Sequence, residues 1–328
     1  MAKAKAKAKE AVGVIGLGSM GLGVARTLLA KGFNVYACDV RKDVLRGFAK
    51  EGGRACASPA EVGAKSPVVI TLVVNAEQTE EVLFGKYGAA PRMARGSVVI
   101  ASATVAPAIA EAIGARLKSM GLHMIDAPVS GGAVRAAAGQ LSIMASGARE
   151  AFARAESVLQ AIAAKVYPLG ETPGMGSKVK MINQLLAGVH IAASAEAMAL
   201  GIRAGANPNV LYEVISNSAG ASWMFQNRVP HILAGDYTPL SAVNIFVKDL
   251  GIVLDTGKKL TFPLPLTSTA HQMFLMASAA GHGGEDDSAV VKVFQTLSGI
   301  PLPEKKRRAA KSRRPASASR KPRAKRRR

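Results

Sequence analysis

The stretch Ala11-Val-Gly-Val-Ile-Gly16-Leu-Gly18-Ser19-Met20-Gly21 decides the fold of this chain. Ala11–Ile15 reads as a short buried strand, and Met20–Lys31 as a helix stopped by Gly32. Asn34–Cys38 reads as a second strand ending at Asp39. Strand, glycine turn, helix, strand and terminal acid together form a dinucleotide fingerprint. Gly16 permits the tight turn, Gly18 lets the backbone approach a pyrophosphate, and Gly21 lets the helix pack closely on the strand. The helix start around Ser19 and Met20 offers unpaired N–H groups to the phosphates. Asp39, eighteen residues past Gly21, is placed to accept hydrogen bonds from a ribose 2′-OH, which favours NAD because a 2′-phosphate would be repelled. Arg41 and Lys42 beside it keep NADP open, and Arg41 reads equally well as a solvated loop charge.

Further strands are expected at Pro67–Val74, Ser97–Ala101, His123–Ala127, Gln140–Ser146 and Lys165–Tyr167, with helices near 76–84, 107–119 and 149–164. This alternation predicts an α/β, doubly wound (Rossmann) sheet with ligand sites beyond the carboxyl ends of its strands. Val73, Val74 and Thr104 lie at such ends; they either touch a cofactor or simply begin loops. Asp126-Ala-Pro-Val-Ser130-Gly131-Gly132 precedes an alanine-rich turn. Ser130, Gly131 and Gly132 leave a hydroxyl and bare N–H groups, either a nest for a carboxylate or a flexible hairpin.

From Gly174 the texture changes. Gly174–Gly205 reads as one long helix, followed by helices near 208–217, 223–234, 241–258, 265–280 and 286–298 with no convincing strand. The expected organisation is a basic leader (1–10), a dinucleotide-binding domain (11–172), an all-helical domain (173–303) and a basic tail (304–328), with the long helix bridging the two domains. On that helix Lys180, Asn183 and Gln184 share one face, whereas Lys178 is rotated about 160° from Lys180. Spacing alone leaves Lys180 explicable as a solubilising charge near a helix end. Lys248, a single charge in an apolar helix, reads in isolation as a snorkelling or paired lysine.

The 328 residues allow two domains with a sizeable core, and 49% apolar composition marks a globular chain. A net charge of +21 suggests a nucleic-acid binder until it is located: residues 304–328 carry +13 and residues 1–10 carry +3, leaving +5 for the body. The tail has no aromatic residue. It reads as disordered, able to hold nucleic acid non-specifically through phosphates but not by base stacking. Cys38 and Cys56 make neither a disulfide framework nor a metal signature, and a reducing cytoplasm fits them best. The five histidines show no ligand spacing. No uninterrupted apolar run reaches the roughly 18 residues of a membrane span. The lysine-rich start mimics a signal peptide, but Gly13, Gly16, Gly18 and Gly21 break its apolar segment in the fingerprint pattern.

With these residues assembled, the chain from about Ala11 to Leu302 resembles the β-hydroxyacid dehydrogenase family, whose members include 3-hydroxyisobutyrate dehydrogenases and tartronate semialdehyde reductases. The resemblance rests on Gly16-Leu-Gly-Ser-Met-Gly21, Asp126-Ala-Pro-Val-Ser-Gly-Gly132, Gly176-Ser-Lys-Val-Lys180 with Asn183-Gln184, and Lys248-Asp-Leu250. Leu72-Val-Val-Asn-Ala-Glu-Gln78, Ala101-Ser-Ala-Thr104, Ser130-Gly-Gly-Ala-Val-Arg-Ala-Ala137 and Glu285-Asp-Asp-Ser-Ala-Val-Val-Lys-Val-Phe294 look like the L-threonate dehydrogenase branch. Ala101, Ala103 and Val73-Val74 depart from the wider family pattern, which puts the substrates of better-known members in doubt. The resemblance implies a Rossmann domain and an all-helical domain that associates into homodimers or homotetramers. It also implies NAD as cofactor and a small hydroxy acid as substrate. It makes Lys180 the general acid/base, with Ser130, Gly131 and Gly132 on the substrate carboxylate and Asn183 and Gln184 orienting the hydroxyl. Gly16, Gly18, Ser19, Met20, Gly21 and Asp39 would hold the cofactor, with Val73, Val74, Thr104 and Lys248 around its nicotinamide half. Asn244 is a further candidate polar partner for the substrate. Two other readings remain: a reductase of tartronate or succinic semialdehyde, and a non-catalytic nucleic-acid-associated relative. Against the second, relatives adapted that way look to have lost the lysine, and Lys180 is present.

Overall fold

The structure, a computed structural model, describes residues 10–304. The expectations for the leader before Glu10 and for the tail after Glu304 lie outside the described residues. The first half of the chain builds one sheet of nine strands: β1 (Ala11–Ile15), β2 (Asn34–Cys38), β3 (Arg54–Ala55), β4 (Val68–Thr71), β5 (Val98–Ala101), β6 (His123–Asp126), β7 (Val129–Ser130), β8 (Leu141–Gly147) and β9 (Ala163–Pro168). Its order is β3-β2-β1-β4-β5-β6-β8-β7, with β9 paired to β8. The first six of these run parallel, and β8 adds antiparallel to β6. Every residue of β4 and β5 is buried, because helices cover both faces of a doubly wound sheet and its strands become continuous apolar runs.

The helices over the sheet are α1 (Gly21–Ala30), α2 (Lys42–Lys50), α3 (Pro59–Lys65), α4 (Ala76–Phe84), α5 (Pro107–Ser119), α6 (Gly132–Ala137) and α7 (Arg149–Ile162). The order reverses between β1 and β4: from β1 the chain moves outward to β2 and β3, then returns to β4 on the other side. A crevice at the strand carboxyl ends opens at such a reversal, and the glycine turn after β1 sits there. No element is expected between Cys38 and Pro67, yet α2, β3 and α3 fill that interval. Their signals are local: Ser58 caps α3 by accepting from the Glu61 N–H, and Pro59 opens its first turn. The alanine-rich segment read as a turn is instead α6. Its entry glycines have φ of +131° and +68°, which made the whole segment look like a loop. Small residues let α6 lie close against α1, where the Thr27 hydroxyl donates to the carbonyls of Ala136 and Ala137 at 3.1 and 3.2 Å.

The second half is helical: α8 (Met175–Arg203), α9 (Pro208–Ser216), α10 (Trp223–Ala234), α11 (Val243–Lys259), α12 (Pro265–Ala277) and α13 (Lys292–Ser298), with a 3-10 turn at Asp287–Val291. The 29-residue α8 is about 44 Å long. By length and composition it is apolar enough to cross a membrane, with mean hydropathy 1.6 over its best window. That differs from the expectation, which counted uninterrupted apolar runs; Gly, Ser and His interrupt the run without lowering the average below that of a span. In the fold α8 is the central helix of the helical half, packed by α10, α11 and α12. Ile191, Ala195 and Ala199 meet Phe246, Leu250 and Phe274 in its core, and the Phe246 and Phe274 rings stack 5.2 Å apart.

The start of α8 is fixed to the sheet by one carboxylate. Buried Asp126, the last residue of β6, accepts from the Gly174 N–H at 2.9 Å, the Ser177 N–H at 2.8 Å and the Ser177 hydroxyl at 2.7 Å. These groups would otherwise be unpaired at a helix N-terminus. Burial raises the Asp126 pKa while these bonds oppose the rise. A side chain at Gly176 would press on the carbonyl oxygens of Asp126 and Met144, so glycine lets the helix begin hard against the strand ends. Lys180 lies one turn further on.

Candidate active site

A cleft of about 1020 Å³ runs between the carboxyl ends of the strands and the helical half. Its floor is the glycine turn. An added Cβ at Gly21 would collide with the Gly16 carbonyl, whereas one at Gly18 would meet nothing within 4 Å. Gly21 therefore serves packing, and Gly18 leaves backbone facing open space, the arrangement a pyrophosphate needs. No acidic residue occupies the first turn of α1 and no side chain caps it, so the positive end of its dipole is open to an anion. Ser19, Met20, Val73, Val74 and Thr104 all line this part of the cleft. These features fit a dinucleotide.

Gly16 and Asp39 stand outside the main cleft. Gly16 (φ +92°) makes the turn. Asp39 accepts from the Leu17 N–H at 2.6 Å and from the Arg41 N–H and guanidinium at 2.8 and 3.1 Å. Burial raises the Asp39 pKa, but the Arg41 and Leu17 bonds outweigh it and the net direction is down. Arg41 is thus not a free loop charge; it also donates to the Leu17 carbonyl at 2.7 Å and lines an adjoining hollow of about 310 Å³. The acid that ends β2 and the guanidinium two residues on are paired with each other.

On the opposite wall, α8 and α11 carry a chain of buried polar groups. Lys180 is 7% exposed, and its Nζ donates to Gln184 Oε1 at 2.7 Å. Asn183 Nδ2 donates to the same oxygen at 3.0 Å. Gln184 Nε2 donates to Asp249 Oδ2 at 2.6 Å, and the other Asp249 oxygen pairs with Lys248 Nζ at 2.7 Å. Lys248 also donates to the Thr104 carbonyl at 2.9 Å, which closes the chain onto the sheet domain. Burial lowers the Lys180 pKa to about 8; Asp249 pulls it back up and Lys248 pushes it further down. As the helical spacing predicts, Lys178 faces away from Lys180; it points outward and pairs with Glu111 at 3.1 Å.

Ser130, Gly131, Gly132, Lys180, Asn183, Gln184 and Lys248 line one cleft, although they come from three separate parts of the chain. Asn244 does not join them; its Oδ1 accepts from the Ser278 hydroxyl at 2.7 Å, and it is absent from the cleft lining. The sequence reading passed over Asp249, the carboxylate linking Gln184 to Lys248, although the Lys248-Asp-Leu250 motif contains it. It also passed over the wall formed by His190, Trp223, Asn227 and Ser241. For His190 a signal was present, since 180, 183, 187 and 190 continue one helical face; the others had none at fixed spacing. No cluster of potential metal ligands occurs among the described residues.

Residues 11–170 match the family model for the NAD binding domain of 6-phosphogluconate dehydrogenase. Residues 174–294 match that for the NAD-binding of NADP-dependent 3-hydroxyisobutyrate dehydrogenase. L-threonate dehydrogenase of Cupriavidus necator is 67% identical over 294 residues, covering 90% of this chain and 98% of that one. The enzyme of the same name from Escherichia coli K12 is 53% identical over 295 residues, covering 89% and 96%. A crystal structure described as 3-hydroxyisobutyrate dehydrogenase from Salmonella typhimurium superposes with a TM-score of 0.83 at 52% identity, covering 87% of this chain and all of that one. Fold, cleft and relatives together show that the chain belongs to the 3-hydroxyisobutyrate dehydrogenase-like family of NAD-binding β-hydroxyacid dehydrogenases.

Proposed function

We propose that the protein oxidises a small sugar acid, L-threonate, at C2 to the 2-oxo acid with NAD, and that Lys180 is the general acid/base. The observation that carries this reading is the buried Lys180 ammonium with its pKa lowered to about 8, inside the cleft that also holds the Ser130-Gly131-Gly132 turn. An ordinary lysine, at about 10.4, is almost never neutral at pH 7–8. Removal from water disfavours its charged form, and a base poised near the working pH is the efficient one.

In this reading the Ser130 hydroxyl and the N–H groups of Gly131 and Gly132 hold the substrate carboxylate. Asn183 and Gln184 orient the C2 hydroxyl toward Lys180. Neutral Nζ takes the hydroxyl proton as hydride leaves C2, and the resulting ammonium is shared with Gln184 and balanced by Asp249. The α1 N-terminus with Gly18, Ser19, Met20 and Asp39 would hold NAD, which would supply the hydride acceptor. Val73, Val74 and Thr104 wall off its nicotinamide end. Lys248, fixed between Asp249 and the Thr104 carbonyl, spans the two sides of the cleft and keeps them in register. Residues 11–172 and 173–303 are proposed as the two domains, assembling as a homodimer or homotetramer in the cytoplasm.

L-threonate is preferred because relatives bearing that name are 67% and 53% identical over nearly their whole lengths. The test is a steady-state screen of C3–C5 sugar acids and of short semialdehydes, each with NAD and with NADP, following absorbance of the reduced cofactor. Highest kcat/KM for L-threonate with NAD is expected. Preference for tartronate or succinic semialdehyde, or for NADP, would replace this reading.

A further inference from the structure

The substrate reading accounts for one end of the acid. The Ser130–Gly132 turn takes the carboxylate and Lys180 takes the C2 hydroxyl, so C3 and C4 need a further part of the cleft, and the starts of α10 and α11 line one. That wall is largely apolar, with Trp223, Met224, Ile245 and Phe246 among its residues. Asn227 is a polar residue of this wall whose orientation the structure fixes. Its Oδ1 accepts a hydrogen bond from Arg228 Nη1. Arginine can only donate, so the amide oxygen must be the atom turned to Arg228, and the amide nitrogen is turned away from it. Among the described residues Nδ2 has no hydrogen-bond partner, and Asn227 lines the cleft.

Arg228 is itself held rigidly. It is 9% exposed, and its Nε and Nη2 form a two-point bridge to Asp287, which is fully buried. Paired charges of that kind hold one geometry because breaking either bond leaves a buried charge alone. The Asp287 N–H donates to the Ser241 carbonyl at 2.7 Å, and Ser241 lines the same cleft. A buried ion pair thus fixes an amide whose free N–H donors belong to the substrate wall.

We infer that Asn227 donates from Nδ2 to the terminal hydroxyl of the substrate and so selects four-carbon sugar acids over acids lacking that hydroxyl. This rests on the sugar-acid reading above. A site built to hydrogen-bond a substrate hydroxyl rejects the analogue without it, because its own polar group is left unpaired away from water.

The test compares L-threonate with 4-deoxy-L-threonate, which lacks only the terminal hydroxyl, in the wild type, Asn227→Leu and Asn227→Ala, with saturating NAD. Asn227→Leu keeps the size but can neither donate to the substrate hydroxyl nor accept from it, and its melting temperature reports whether the fold is intact. The wild type is expected to prefer L-threonate by about tenfold or more in kcat/KM, and both variants by no more than about threefold. The lost preference should come chiefly from KM for L-threonate. Variants that keep the wild-type preference, or that lose both substrates equally, overturn the assignment of Asn227. A wild type inactive on L-threonate instead overturns the substrate reading and takes this inference with it.

Discussion

The two walls of the cleft are built from different materials. The sheet-domain wall is mostly backbone: a glycine turn, the bare N-terminus of α1, and the Ser130–Gly132 segment. The helical wall is a relay of side chains, Lys180 to Gln184 to Asp249 to Lys248, ending on the Thr104 carbonyl. A backbone site depends on local geometry, so it tolerates side-chain changes but not an added Cβ at its crowded glycine. A side-chain relay depends on charge, so it tolerates small shape changes but not neutralisation. Substitutions on the two walls should therefore fail in different ways.

The largest expected effect is on the helical wall. Lys180→Met removes the proposed base and should lower kcat by about 10³-fold, within the range general acid–base catalysis supplies. NAD binding followed by fluorescence should be nearly unchanged, and near-normal turnover would exclude Lys180 as the base. On the other wall, Gly21→Val forces a side chain into the Gly16 carbonyl. We expect a loss of about 2–4 kcal/mol in denaturant unfolding, as for other severe overpacking, together with weakened NAD binding. A stable variant with intact NAD affinity would show that the turn can open without cost.

Asp249→Asn sharpens the contrast, since it keeps the shape and deletes a charge. Asp249 raises the Lys180 pKa, so its neutralisation should move the acid limb of the kcat/KM profile to lower pH, with kcat down about tenfold. A limb that moves to higher pH would reverse the assigned sign. The smallest effect is expected at Asp39. Asp39→Ala should raise the KM for NAD by about tenfold, one or two lost hydrogen bonds, and leave kcat intact; it also frees Arg41, so relative use of NADP should increase. Unaltered selectivity between the two cofactors would remove Asp39 from the ribose site.

The same division explains what could be read from the sequence. The backbone wall was legible because a tight turn, a close approach and a helix start each demand glycine at fixed spacing, as at Gly16, Gly18 and Gly21. The Lys180, Asn183 and Gln184 face was legible from helical periodicity. Asp249 was not, because its partner Gln184 lies 65 positions away and no local pattern encodes that meeting. Asn227 was hidden for the same reason, since its orientation depends on Asp287 through Arg228. Within the fold, α6 escaped because positive-φ glycines at its entrance mask a short helix, and α2 and α3 because a charged amphipathic surface between two strands resembles a loop.

The pH dependence of kcat/KM for L-threonate oxidation by the wild type between pH 6 and 10 tests the role of Lys180 most directly. Lys180 must be neutral to accept the proton, so activity should rise with pH as one proton is lost, with a midpoint near the value of about 8 that burial gives Lys180, and then level off. A midpoint near 10.4, the value of a lysine in water, or a profile flat across this range would contradict the claim that a buried, depressed Lys180 is the base.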